Sequence, residues 1–150
     1  MAAGRGMAKL LVLPILVVAL ALGSGSSAVG KPAKVRTCGG ETVTIFGSHS
    51  SDKVIGTPGP DVIRTGPGDD VIRGLGGADV ICARKGDDYV KGGAGNDRIF
   101  GMRGDDTLRG LSGDDELFGG SGADRLRGGL DGNDVCQGGI GYDLLRGCES

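Results

Sequence analysis

Eleven aspartates recur through this chain in one phase: Asp52, Asp61, Asp70, Asp79, Asp88, Asp97, Asp106, Asp115, Asp124, Asp134 and Asp143. The spacing is nine residues throughout, except for ten between Asp124 and Asp134. Carboxylates in such a series can do two kinds of chemistry. A close pair can move protons in acid–base catalysis, or oxygens from successive turns can surround a hard cation. Catalysis singles out one or two residues, whereas this series repeats one environment along the chain. The only His, His49, stands alone, and there is no HExxH segment and no GxSxG segment. A His-based triad, a metalloprotease helix and a nucleophile elbow are therefore not expected. The residue types point to cation binding and away from an enzyme.

The segments around the aspartates show what must position them. From Gly56 they read GTPGPDVIR, TGPGDDVIR, GLGGADVIC, ARKGDDYVK, GGAGNDRIF, GMRGDDTLR, GLSGDDELF and GGSGADRLR, without a gap to Arg127. GGLDGNDVCQ takes ten residues, GGIGYDLLR follows, and GSHSSDKVI precedes them in frame. The fourth position is Gly in ten of the eleven units, with Ser50 the exception. The eighth is apolar or Cys throughout, as in Ile63, Ile72, Leu108 and Cys136. With 33 Gly, 3% aromatic residues and no Trp, a conventional core is hard to build. A repeat architecture in which Gly serves geometry accounts for both the composition and the fixed phase; collagen is excluded by the absence of Gly at every third position.

These units resemble the haemolysin-type calcium-binding repeat, also called RTX, with the pattern G-G-x-G-x-D-x-U-x. The resemblance covers residues 47–146. It implies an all-β fold, a right-handed parallel β-roll, with Ca2+ ions held between turns by backbone carbonyls and by the sixth-position Asp. The residues implied as metal ligands are Asp61, Asp70, Asp79, Asp88, Asp97, Asp106, Asp115, Asp124, Asp134 and Asp143.

Elementary geometry makes the same unit work. A six-residue turn followed by a three-residue strand lets Gly curl its carbonyls inward, because Gly adopts positive φ cheaply. Calcium takes six to eight hard oxygens, so curled carbonyls and a carboxylate suit it. Side chains alternate along a strand, so position eight faces the interior. Two units make one 18-residue coil, giving about five coils, and Asp residues stack on alternate sides. Stacked carboxylates repel one another without metal, so folding is expected to depend on calcium binding. The pattern is altered at Ser50, at Pro58 and Pro60, at Ala83 and Arg84, and at the insertion near Leu130 and Asp131. It is cleanest from Asp70 to Asp124. Second carboxylates at Asp69, Asp87, Asp105 and Asp114 occupy position five, where they either face solvent or assist the metal.

The remaining segments address the chain and close its ends. Arg5 and Lys9 precede a 13-residue apolar run, residues 10–22, followed by small residues 23–28. That run is shorter than the ~20 residues a spanning helix needs. Residues 1–28 are therefore expected to be a signal peptide and the mature protein to be secreted. Residues 29–46 form an N-terminal segment and cap, 47–146 the roll, and 147–150 a C-terminal tail. The whole chain carries −2, but all 19 acidic residues lie from Cys38 onward with 12 of the 17 basic ones. An acidic repeat domain suits a cation binder and not a nucleic-acid binder.

Four Cys in an exported chain suggest two disulfides. Cys148 lies just past the last unit and one coil from Cys136, which favours Cys136–Cys148 and leaves Cys38–Cys82. Cys82 and Cys136 are three coils apart, about 14 Å by strand spacing, too far to bond. Residues 42–46 (TVTIF) alternate like a strand and could cover the first coil.

The outward ninth position differs between the two sides. Arg73, Lys91, Arg109, Arg127 and Arg146 form one column; Arg64, Cys82, Phe100, Phe118 and Gln137 form the other. The cationic column is either a solvated face balanced by neighbouring Asp or a docking face for an anionic cell-surface polysaccharide. A calcium-dependent structural or adhesive module outside the cell is thus one reading, and a calcium buffer or sensor without a surface partner is the other. Toxins and proteases of the family carry the roll as an appendage, and no such effector domain is expected here. A Thr-rich ice-binding face is also missing from the mixed outward positions.

Overall fold

The computed structural model describes residues 36–149. The expected signal segment, residues 1–28, lies outside them. Among the described residues every regular element is a strand. A small antiparallel hairpin of β1 (Thr37–Cys38) and β2 (Glu41–Thr42) comes first. Twelve strands then wind as a coil: β3 (Ile45–Phe46), β4 (Lys53–Ile55), β5 (Val62–Arg64), β6 (Val71–Gly76), β7 (Val80–Lys85), β8 (Tyr89–Ala94), β9 (Arg98–Arg103), β10 (Thr107–Ser112), β11 (Glu116–Ser121), β12 (Arg125–Asp131), β13 (Val135–Ile140) and β14 (Leu144–Arg146). Odd-numbered strands from β3 to β13 form one six-stranded parallel sheet, and even-numbered strands from β4 to β14 form the other. This is a parallel β-roll of six turns. The repeat count predicts about five; the extra half-turn comes from Ile45–Phe46, which pairs in register with Ile63 and Arg64 as a first strand.

The strands are longer than the sequence pattern suggests. Most run six residues, from position seven of one unit through position three of the next, leaving only a Gly-x-Asp turn. Positions one to three stay extended because their parallel partners one coil away keep the ladder going, as Leu75↔Gly93 and Gly120↔Met102 show. A second inward row results, at position one.

Position eight builds the core as alternation requires. Ile63, Ile72, Ile81, Val90, Ile99, Leu108 and Leu117 are fully buried, and each sits opposite its counterpart one coil away. One apolar residue per strand stacked at about 4.8 Å makes a core that is continuous but narrow. The ten-residue unit does not disturb it. Between Leu111 and Ser112 the partners jump from Gly129 to Asp131, so Leu130 is a β-bulge that absorbs the insertion. Downstream, Leu117 again faces Cys136 in register. At the C-terminal end the core position Leu145 is 45% exposed, beside exposed Leu144 and Ile140.

Both disulfides are present, Cys38–Cys82 and Cys136–Cys148. The first pins the N-terminal hairpin to the outer face of the odd-strand sheet, where Cys38, Val43, Val80 and Cys82 pack with Val62 and Phe100. Phe100 in turn stacks on Phe118 with ring centroids 4.9 Å apart. Residues 42–46 thus supply the first strand of the roll, with Ile45 packed against the core, and an outer-face contact through Val43.

Position two carries backbone strain. Gly93, Gly120 and Gly139 have positive φ there, but so do Leu75 (86°), Arg84 (93°), Met102 (85°) and Leu111 (94°). A side chain in this region costs on the order of 1–2 kcal/mol. Leu111 is also exposed, so little packing opposes its removal. Leu111→Gly is therefore expected to stabilise the calcium-saturated protein by about 1 kcal/mol, net of glycine's entropy cost. Denaturant unfolding at saturating calcium checks this, with Leu111→Ala, which keeps the Cβ, expected to gain nothing.

Candidate metal-binding turns

From Gly68 onward each turn is Gly-x-Asp, and its glycine is a steric requirement. At Gly86 (φ 124°) and Gly104 (φ 121°) the backbone is in a region that L side chains rarely adopt. An added Cβ would also strike the carbonyl oxygen of the turn glycine one coil earlier, Gly68 for Gly86 and Gly86 for Gly104. The turns therefore stack with their main chains in contact, and carbonyl oxygens line the stack.

The sixth-position aspartates fold back into the roll. Nine of them, Asp61, Asp70, Asp79, Asp88, Asp97, Asp106, Asp115, Asp124 and Asp134, are buried, while Asp52 and Asp143 are half-buried. Their Oδ1 atoms form a ladder. The backbone N–H of Asp88 donates to Asp106 at 2.9 Å, and that of Asp106 to Asp124 at 2.9 Å. The same bond joins Asp61 to Asp79, Asp70 to Asp88, Asp79 to Asp97 and Asp97 to Asp115. It survives the insertion, with Asp115 donating to Asp134 and Asp124 to Asp143.

The other oxygen has no such partner. Oδ2 of Asp70, Asp79, Asp88, Asp97, Asp106, Asp115 and Asp124 is buried without a hydrogen bond. A buried polar atom left unsatisfied costs about 1–3 kcal/mol, and a charged one more. Seven in two stacked columns are too many to be incidental. In the outer units the atom is engaged: Oδ2 of Asp61 accepts from the Thr57 N–H at 2.6 Å, and Oδ2 of Asp52 from the Ser48 N–H at 2.6 Å.

Electrostatics agree with the geometry. Burial pushes the carboxyls of Asp88, Asp97 and Asp106 up to about 7, and those of Asp79 and Asp115 up to about 6. Backbone hydrogen bonds partly offset this, and like charges in adjacent turns raise the values further. Asp124 is also raised, again chiefly by burial. Such a column needs protons or cations among its oxygens.

A cation fits the surroundings. Oδ2 of Asp106 borders the position-one glycine, Gly101, together with the carbonyl oxygen of Gly119; a Cβ on Gly101 would strike both. Asp79 and Gly92 stand the same way around Gly74, and Asp124 and Gly138 around Gly119. Asp97 and Asp115 abut Gly92 and Gly110. Carboxylate and carbonyl oxygens beside a space kept open by glycine are the donor set of a calcium ion. Among the described residues no three Asp, Glu, His or Cys side chains converge, so main-chain carbonyls would have to complete the shell. Asp79, Asp97, Asp106, Asp115 and Asp124 would hold metal in the most regular setting. Asp70 and Asp88 have Thr65 and Ala83 at position one instead of Gly. Ala83 is a departure visible in the pattern; Thr65 is one that the pattern also offered and that sequence reasoning passed over.

The position-five side chains have a role that periodicity did not reveal. Oδ1 of Asp69 accepts from the Asp87 N–H at 2.9 Å, and Oδ1 of Asp87 from the Asp105 N–H at 2.9 Å. Asn96 and Asp114 do the same for Asp114 and Asn133 on the other side. These bonds tie successive turns from outside, running opposite to the inner ladder. An amide serves as well as a carboxylate, which explains why Asn replaces Asp at this position.

A parallel roll whose inward carboxylates are left unpartnered in seven successive turns has the architecture of a calcium-binding repeat protein. The RTX calcium-binding nonapeptide repeat matches the chain in five overlapping segments, residues 46–81, 55–90, 83–108, 100–131 and 110–145, and the chain belongs to that family. No match was found among curated proteins or solved structures.

Proposed function

We propose that this chain is an exported, non-catalytic module that calcium orders outside the cell and that then docks on an acidic surface polymer. The observation that carries the reading is the set of seven buried carboxylate oxygens without partners. Without metal they oppose folding; with it they become the fold's internal ties. Extracellular calcium modules commonly bind at about 10⁻⁴–10⁻³ M, so the chain would stay open until it met such concentrations. Two disulfides support an oxidising destination.

Support for docking comes from the even-strand sheet. Arg73, Lys91, Arg109, Arg127 and Arg146 are paired in register, one strand spacing apart. Tyr89 lies under both Lys91 and Arg109, at 5.7 and 5.5 Å. Among the described residues the one ion pair, Arg98–Glu116, is on the opposite sheet. No residue of the column forms an ion pair among the described residues, and a groove lined by Arg109, Arg125, Arg127 and Arg146 runs beside it. A linear acidic polysaccharide could lay its carboxylates along this face.

One experiment separates the parts of the reading. Mature protein, residues 29–150, is titrated with calcium while circular dichroism is followed, then passed over an acidic polysaccharide. Calcium-dependent gain of β-structure followed by retention, with Arg109→Ser/Arg127→Ser eluting early, is the expected result. Full β-structure without metal would defeat calcium-driven folding. Calcium-dependent folding without retention would leave a buffer or sensor.

A further inference from the structure

A second concave feature lies on the odd-strand side and plays no part in the calcium turns. Arg36, Arg64 and Arg84 line one pocket of about 180 Å³, together with Phe46, Ser48 and His49. Three separate pieces of chain meet there. Arg64 ends β5 beside Phe46 of β3. Arg84 belongs to β7, two residues past Cys82, which is the register partner of Arg64. Arg36 precedes β1 and is brought in by the Cys38–Cys82 disulfide. Its guanidinium lies 5.8 Å from the centre of the Phe46 ring.

The charges in this pocket are of one sign. None of the three arginines takes part in an ion pair among the described residues. Asp52, beside the lining residues Gly47 and Ser48, is already engaged by the Ser48 N–H and hydroxyl. The pKa of Arg64 is lowered, first by burial and then by the charges of Arg84 and Arg36. Arg84 is held at φ 93°, in a position where the repeat pattern has Gly and where Gly would be free of strain. Converging guanidinium groups without a counter-ion repel one another, and each offers a planar fork of donors to an oxyanion.

We propose that Arg36, Arg64 and Arg84 form a binding site for a tetrahedral oxyanion, the phosphate or sulfate monoester group of a larger molecule. The pocket has room for the anion and part of its carrier. The site is independent of the cationic column, which lies on the other sheet and would take an extended polymer. Because Arg36 arrives through a disulfide, the site exists only in the oxidised protein.

The test uses calcium-saturated, disulfide-intact protein and two probes, methyl phosphate and methyl sulfate, with chloride as the competing salt. Saturable binding of either ester that shifts the arginine Nε–H resonances of Arg36, Arg64 and Arg84 is expected, and the ester that binds names the ligand. Arg84→Gly restores the unstrained residue, so this variant should bind calcium and resist denaturant at least as well as the parent. Its ester affinity should fall about tenfold or more, from loss of charge-assisted hydrogen bonds. Arg64→Gln should show a similar fall. Ester binding no stronger than that of chloride, or affinity unchanged in Arg84→Gly, would overturn the proposal.

Discussion

Asp106→Asn should make the metal-free chain easier to fold and the calcium-bound chain harder to saturate. The two effects have opposite signs because the two oxygens of Asp106 do different things. Oδ1 accepts the buried N–H of Asp88, and an amide oxygen can do that equally well. Oδ2 is the buried atom without a partner, and the carbonyl oxygen of Gly119 borders the same space. An amide NH2 there gains an acceptor and removes a buried charge, so the unfolded metal-free chain loses ground to the roll. With calcium present, the same change deletes an anionic ligand, and affinity at that turn should fall about tenfold or more, the equivalent of about 1.4 kcal/mol. Asp106→Ala should fail in both conditions, since it also strands the Asp88 N–H at about 1–3 kcal/mol. Thermal melts with and without calcium, alongside calorimetric stoichiometry, measure the signs directly. Asp87→Asn is the control: its Oδ1 role toward the Asp105 N–H is kept, so calcium stoichiometry should not change. An Asp106→Asn protein that takes up calcium as the parent does would remove Asp106 from the ligand set.

Acid should act on the metal-free and metal-bound proteins in opposite directions. In the folded chain Asp79 and Asp115 titrate at about 6, and Asp88, Asp97 and Asp106 at about 7, against 3.8 for an ordinary Asp. A folded-state value above the unfolded one means that the fold prefers the protonated form. That preference stabilises the metal-free roll fully below about pH 4 and is lost as pH rises through 6 to 7. Metal-free protein should therefore gain β-structure on acidification from about pH 8 to about pH 5. Calcium competes with those protons for the same oxygens, so its affinity should be highest above about pH 7 and fall steeply through 7 to 6. Calcium titrations at several pH values, paired with circular dichroism of metal-free protein, test both halves. Affinity that stays flat across this range would show that the buried carboxylates do not carry the metal.

Much of this molecule could be read from its residues because the repeat is local. A fixed nine-residue phase places Asp, Gly and an apolar residue at constant offsets, and alternation in a strand then assigns inside and outside. That reasoning reaches the buried column from Ile63 to Leu126, the inward Asp series, the outward cations and both disulfides. What it could not reach depends on how one coil sits on the next. Strand length is set by pairing 18 residues away, so the extended stretch doubled and the turn shrank. The partners of each carboxylate oxygen follow from the same stacking: Oδ1 finds a neighbour's N–H, Oδ2 finds none, and the Asp69 row bonds in the reverse direction. Arg36, Arg64 and Arg84 are far apart in the sequence and share no phase. The stacking of β5 on β7 brings Arg64 and Arg84 together, and the Cys38–Cys82 disulfide adds Arg36 to the same pocket.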